Sequence, residues 1–147
     1  MPEESAGRDG VRLGTYWQRA THDRARSAYV VDLDHLEEAP PSGFARWIER
    51  AITRHNTRTP AERAQLADHL APEDKSAGRV NRAVVLPSAV IEGAEQAIVA
   101  DRREVGRVAS LSAYITVAVR VAADEAATRY GRPLPPPPAR LPNRPTR

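Results

Sequence analysis

The segment RVNRAVVLP, residues 79–87, limits what this chain can become more than any other. Val80, Val84 and Leu86 fall on one side of a period of two, and Pro87 stops the run. It is the one segment with clear strand character. A lone strand leaves the N–H and C=O groups of its edges unpaired, so it must find a second strand. Two helical patterns follow it. Ser88 is a good N-cap for the first, which holds Val90, Ile91, Ala94, Ala97 and Ile98. Gly106 permits a turn, and Ser110 caps a second helix through Leu111, Ile115, Ala118, Val119 and Ala122 to about Tyr130, where Gly131 is placed to end it. Roughly 45 residues rarely bury enough apolar area alone. Two copies that pair their strands antiparallel and interlock four helices solve both problems. The expectation is therefore a homodimer whose interface is its core. A segment near residue 80 that is helical, or paired inside one subunit's own sheet, overturns it.

The order strand, helix, glycine turn, longer helix resembles the ribbon-helix-helix (MetJ/Arc-like) DNA-binding superfamily. The residues that carry the resemblance are Val84-Val85-Leu86-Pro87 at the end of the ribbon, Ser110-Leu111-Ser112-Ala113-Tyr114-Ile115 at the start of the second helix, and Ala118-Val119 after them. It covers residue 79 to about 125, under half of the chain. The resemblance implies an intertwined homodimer with one two-stranded ribbon, which enters the major groove of double-stranded DNA. The fold class expected is mainly α: a C-terminal ribbon-helix-helix of one strand and two helices, preceded by short N-terminal helices.

Leu86, next to Pro87, is expected to point inward with Val84 and Arg82. The opposite side then carries Arg79, Asn81, Ala83 and Val85 as candidate base readers. Asn can pair bidentately with adenine N6/N7, apolar side chains can touch a thymine methyl, and Arg can reach guanine or phosphate. A register slipped by one would present Val80, Arg82, Val84 and Leu86 instead and expose three large apolar groups. In the superfamily the start of the second helix clamps the DNA backbone, so Ser110 and Ser112 are candidate phosphate contacts, with Arg82 and Arg107 beside them and Arg102 and Arg103 nearby. The plainer alternative is that Ser110 only caps its helix and these arginines only solvate a loop. Val84, Leu86, Ile98, Ile115 and Val119 are the expected dimer core.

The rest of the chain is read around this module. Residues 1–14 are polar and expected to be a disordered arm. TYWQRATHDRARSAY, residues 15–29, lacks breakers and reads as helix, with residues 30–33 as a short strand or extended link. Phe44, Trp47, Ile48, Ala51 and Ile52 make one helical face. Thr59-Pro60-Ala61-Glu62 matches a capping box with Pro at the first helical position, opening a helix through Leu66 and Leu70. Residues 15–72 thus form a helical region too thin in apolar stripes for a robust core of its own, so marginal stability or packing on a partner is expected. Residues 73–78 are a linker to the 79–131 module. The tail, 132–147, has 7 of the 13 prolines and four arginines, with no acid; disorder or polyproline II is expected.

Charge sharpens the division. Residues 1–78 carry 11 basic and 13 acidic side chains, and residues 79–147 carry 11 and 6. A basic C-terminal half suits a polyanion, because neutralising phosphates releases counterions; it equally suits simple solubility. The absence of Cys removes disulfides, thiolate metal sites and Cys nucleophiles. No apolar run reaches 18 residues, so no membrane span is expected, and the polar N-terminus is unlike a signal peptide. The four histidines, His22, His35, His55 and His69, have no metal-ligand spacing, and neither a phosphate-binding loop nor a hydrolase motif is present. No enzyme, cofactor or metal is expected, and the location expected is cytoplasmic, on the nucleoid or a plasmid. The 78 residues before the ribbon suit a plasmid-partition adaptor that engages an ATPase, with Arg8, Arg12 or Arg19 as candidates for stimulating it, or an autorepressor. An antitoxin, or a dimeric interaction scaffold without specific DNA binding, are the alternatives.

Overall fold

The computed structural model describes residues 9–35 and 41–143 of the chain. In order the elements are β1 (Gly10–Gln18), α1 (Arg19–His35), α2 (Phe44–Asn56), α3 (Pro60–His69), β2 (Arg79–Pro87), α4 (Ser88–Val105) and α5 (Leu111–Tyr130). The strand read from the sequence is therefore present, but its partner lies in the same chain. β1 and β2 form a two-stranded antiparallel sheet.

This corrects the fold class. The protein is mainly helical, but it is not a C-terminal ribbon-helix-helix that borrows a strand from a second copy. Residues 10–14, expected in a disordered arm, and 15–18, expected in a helix, form β1. Val11, Leu13, Thr15 and Trp17 alternate with Gly10, Arg12, Gly14 and Tyr16 in a period of two. The two glycines blank out that alternation to the eye. Helix begins only at Arg19, and residues 30–33 lie inside α1 rather than in an extended link.

The pairing is centred. Each strand has nine residues, the first of one faces the last of the other, and Gly14 in the middle of β1 faces Ala83 in the middle of β2. An approximate two-fold axis therefore passes between Gly14 and Ala83. Both ends of the ribbon are closed alike. The Arg19 N–H donates to the Gly78 carbonyl at 2.8 Å, and the Ser88 N–H donates to the Asp9 carbonyl at 3.0 Å. Each bond runs from the first residue of a helix to the residue just before the other strand. Each strand is thus followed at once by a helix and then, after a connection, by another.

The helices cross between halves. α1 packs chiefly on α5, while α4 packs on α2, and α2 and α5 pack on each other. One apolar cluster results, to which Trp17, Leu33, Trp47 and Ile52 come from the first half and Leu86, Ala97, Ile115 and Val119 from the second. Residues 15–72 therefore have no core separate from 79–131: the partner they need is the other half of the chain. Val84, Leu86, Ile115 and Val119, expected at a dimer interface, are buried in this intramolecular core, with Ile98 packed half-buried against it.

The local signals behave as their chemistry dictates. Thr59 and Glu62 form the capping box in full, with the Glu62 N–H donating to Thr59 Oγ1 at 3.1 Å and the Thr59 N–H donating to Glu62 Oε1 at 2.8 Å. Ser110 Oγ accepts from the Ala113 N–H at 3.1 Å, and Gly131 closes α5 in the left-handed region at φ 76°. Ser88 is displaced by one: it is the first helical residue, and its hydroxyl donates to Asp9 Oδ2 at 2.8 Å instead of capping. α3, which has no counterpart in the second half, is tied to α4 by a buried ion pair. Asp101 accepts from Arg63 Nε at 3.0 Å and Nη2 at 2.7 Å.

The charge division of the sequence is not a division in space. Arg24 meets Asp124 at 2.6 Å, Arg58 meets Glu125 at 3.1 Å, Arg129 meets Asp32 at 2.7 Å and Arg107 meets Asp68 at 2.6 Å. Each pair joins an acidic or basic group of one half to its opposite in the other. The Pro-rich segment has neither helix nor strand over 132–143, as its prolines dictate, but it lies along α1. Arg26 Nη2 donates to the Pro138 carbonyl at 2.8 Å, the Tyr29 hydroxyl donates to the Pro142 carbonyl at 2.5 Å, and Leu134 and Leu141 pack on the core. Residues 1–8 and 144–147, the outer parts of the expected arm and tail, lie outside the described residues, as do Glu37 and Glu38.

Candidate nucleic-acid interface

Residues facing each other across an antiparallel pair point to the same side of the sheet. One face of the ribbon thus holds Val11, Leu13, Thr15 and Trp17 with Val80, Arg82, Val84 and Leu86. Trp17, Thr15, Val80, Val84 and Leu86 are buried, so this face lies on the helices. The other holds Arg12, Gly14, Tyr16 and Gln18 with Arg79, Asn81, Ala83 and Val85, and it is open to solvent apart from the half-buried Gln18. Arg79, Asn81, Ala83 and Val85 therefore stand together where the sequence places them, and the slipped register does not occur. Arg12, Tyr16 and Gln18, which complete the face, were missed with β1. The alternation of Val11, Leu13, Thr15 and Trp17 was the signal that could have found them.

This face has an unusual chemistry for an exposed surface. Tyr16 is 59% exposed and Val85 is 51% exposed. The Arg79 guanidinium carbon lies 5.0 Å from the centre of the Tyr16 ring, which holds a cation above an aromatic in open solvent. Neither strand contains a carboxylate, and together they carry Arg12, Arg79 and Arg82. At the middle, Gly14 and Ala83 leave the surface low and flat, and a side chain added at Gly14 meets nothing within 4 Å. Neither the space around it nor its backbone angles require glycine at this position.

Arg82 is on the inward face, opposite Thr15, yet the residue is exposed. Its guanidinium donates to the Asn81 carbonyl at 3.0 Å. Burial, followed by the charge of Arg26 and then of Arg82, holds the His22 ring below the usual histidine range. Opposite Arg82, the Thr15 hydroxyl is buried without a hydrogen-bond partner among the described residues.

The expected phosphate clamp is built differently. Ser110 Oγ is used by the cap of α5, Ser112 is half-buried, and Arg107 is engaged by Asp68 of α3. Arg102 and Arg103 are exposed in the last turn of α4, where cations complement the helix dipole.

A second polar cluster lies inside the molecule. His55 is 2% exposed and its ring faces Tyr114 with centres 5.1 Å apart. The Tyr114 hydroxyl donates to Asn56 Oδ1 at 2.8 Å, and the Asn56 amide donates to the Val90 carbonyl at 3.2 Å. Burial first, and then Arg58 and Arg63, push His55 down to about 4; burial raises Tyr114 to about 12. His55 Nδ1 lies 2.9 Å from Arg58 Nη1, and the Asn56 and Tyr114 bonds join α2 to α4 and α5. Among the described residues no three His, Asp or Glu side chains gather to hold a metal, and no helix is long and apolar enough to cross a membrane. Comparison with protein-family models, with curated proteins and with solved structures returns no match for this chain.

Proposed function

We propose that this protein binds double-stranded DNA by laying the β1–β2 ribbon in the major groove. The observation that carries the reading is the open face of that ribbon: Arg12, Tyr16, Arg79 and Asn81 around a flat centre, with no carboxylate on either strand. A major groove about 12 Å wide admits a two-stranded ribbon, and each base pair there displays a distinct pattern. Arg12 and Arg79 suit guanine O6/N7 or phosphate, Asn81 suits adenine N6/N7, and Ala83 and Val85 suit thymine methyls. The reading keeps the mode of contact of the ribbon-helix-helix resemblance and drops its homodimer. Autorepression and plasmid partition are both roles such binding serves. The N-terminal region gives an ATPase partner no separate arm to engage, because β1, α1 and α2 supply the first half of the apolar core.

The test is retardation of duplex DNA by the full-length chain across a salt series. Binding whose log affinity falls linearly with log salt is expected, since phosphates are neutralised by arginines. Asn81→Ala should lose about 1–3 kcal/mol on a preferred site and nothing on random duplex. No retardation at about 50 mM salt overturns the reading and favours an interaction scaffold.

A further inference from the structure

We infer that one chain is a complete DNA reader and that the sequence it recognises lacks dyad symmetry. This rests on the ribbon being the DNA-binding face.

The centred register supplies the argument. With the two-fold axis between Gly14 and Ala83, each residue of β1 has a counterpart on β2 at the same distance from the centre along its own strand. On the inward face the counterparts are matched in kind at three of four places: Val11 with Val80, Thr15 with Val84 and Trp17 with Leu86. Thr15, Trp17, Val80, Val84 and Leu86 are buried against the helices, while Val11 is 39% exposed, so the match is needed where the core is closed. On the open face the match is gone. Arg12 corresponds to Asn81, Tyr16 to Val85, Gln18 to Pro87 and Gly10 to Arg79.

The two ends of the open face consequently present different chemistry. At one end Arg12 stands beside Val85. At the other, Tyr16 stands beside Asn81, and Gln18 beside Arg79. The first suits a guanine next to a thymine methyl, and the second a polar step containing adenine. A ribbon made from two identical strands shows the same readers twice and demands an inverted repeat. This ribbon has two unlike ends and cannot reward one. The strand partner and the cover of the apolar face are both internal, so the reading unit needs no second copy.

Two measurements on the full-length chain decide this. Enrichment of bound duplexes from a randomised pool should return a sequence that is not self-complementary. Sedimentation of the complex should give one chain per recognition unit. Arg12→Ala should then flatten the preference on one side of the centre by about tenfold or more, and Asn81→Ala should do so on the other side. Both side chains are exposed, so unchanged melting curves are expected for both variants. A self-complementary sequence held by two chains, with each variant weakening both halves, overturns this inference and leaves the DNA-binding reading intact. An unsymmetrical sequence that neither variant affects overturns the role of the ribbon, and so does the absence of any enrichment at low salt; either result removes both.

Discussion

The first half of the molecule, β1 with α1 and α2, and the second, β2 with α4 and α5, do the same structural work with different sequences. They agree at most of the positions that touch the core, Leu13 and Arg82 excepted, and part where they face solvent. α1 and α4 have 17 and 18 residues, while α2 has 13 and α5 has 20. The backbone bonds that close the ribbon repeat from one end to the other, Arg19 to Gly78 and Ser88 to Asp9. The contrast shows that burial sets the kind of side chain at a position more tightly than strand geometry does, since both faces of the ribbon share one backbone.

The strongest way to break the comparison is to charge the shared core. Ile115→Asp should unfold the chain by about 4 kcal/mol or more, because an isolated buried carboxylate is strongly disfavoured. Ile52→Asp, on the other half, should have the same effect, and both should remove one cooperative transition in circular dichroism. A variant that melts only one half would show two cores.

Acidification tests the cluster that binds α2 to α4 and α5. The folded chain resists protonation of His55 until pH of about 4, while the unfolded chain takes that proton near 6.5. The unfolded state therefore binds more protons between those values, and stability falls as pH drops through that window. A loss on the order of 3 kcal/mol is expected, read from denaturant midpoints at pH 7 and pH 4. His55→Phe should flatten that part of the profile; a profile unchanged by the substitution would mean that other groups set it.

A smaller effect sharpens the internal correspondence. Thr15 is the counterpart of Val84, and its buried hydroxyl has no hydrogen-bond partner among the described residues. Thr15→Val should raise stability by about 1 kcal/mol, since the shape is kept and an unsatisfied group removed. Equal or lower stability would reveal a partner for the hydroxyl. The smallest effect is expected outside: Arg12→Ala should change stability by no more than about 0.5 kcal/mol, because it is exposed and makes no ion pair among the described residues. A larger loss would make Arg12 part of the structure rather than of a binding face.

Much of the second half was legible. The strand over 79–87, the outward set of Arg79, Asn81, Ala83 and Val85, the cap at Ser110 and the stop at Gly131 all follow from local chemistry, as does the box at Thr59 and Glu62. β1 was not legible, for two local reasons. Gly10 and Gly14 occupy outward positions where a polar side chain would have shown the alternation, and Tyr16-Trp17-Gln18 runs without a breaker into α1. The homodimer expectation followed from that one omission, because a missing strand was assigned to a second copy. The sequence also could not show that α1, whose apolar pattern looks thin, is buried by Ala25, Ala28, Tyr29, Val31 and Leu33 against crossed helices. Small residues carry little hydrophobic signal yet allow close packing.

The covalent connection through α3 and residues 70–78 has a consequence for how the protein behaves when scarce. A reader assembled from two separate subunits falls apart on dilution, and its occupancy of a target drops with the square of protein abundance. Here the two strands are held at each other's side at every concentration, so if the ribbon reads DNA as proposed, occupancy falls only in simple proportion to the number of molecules.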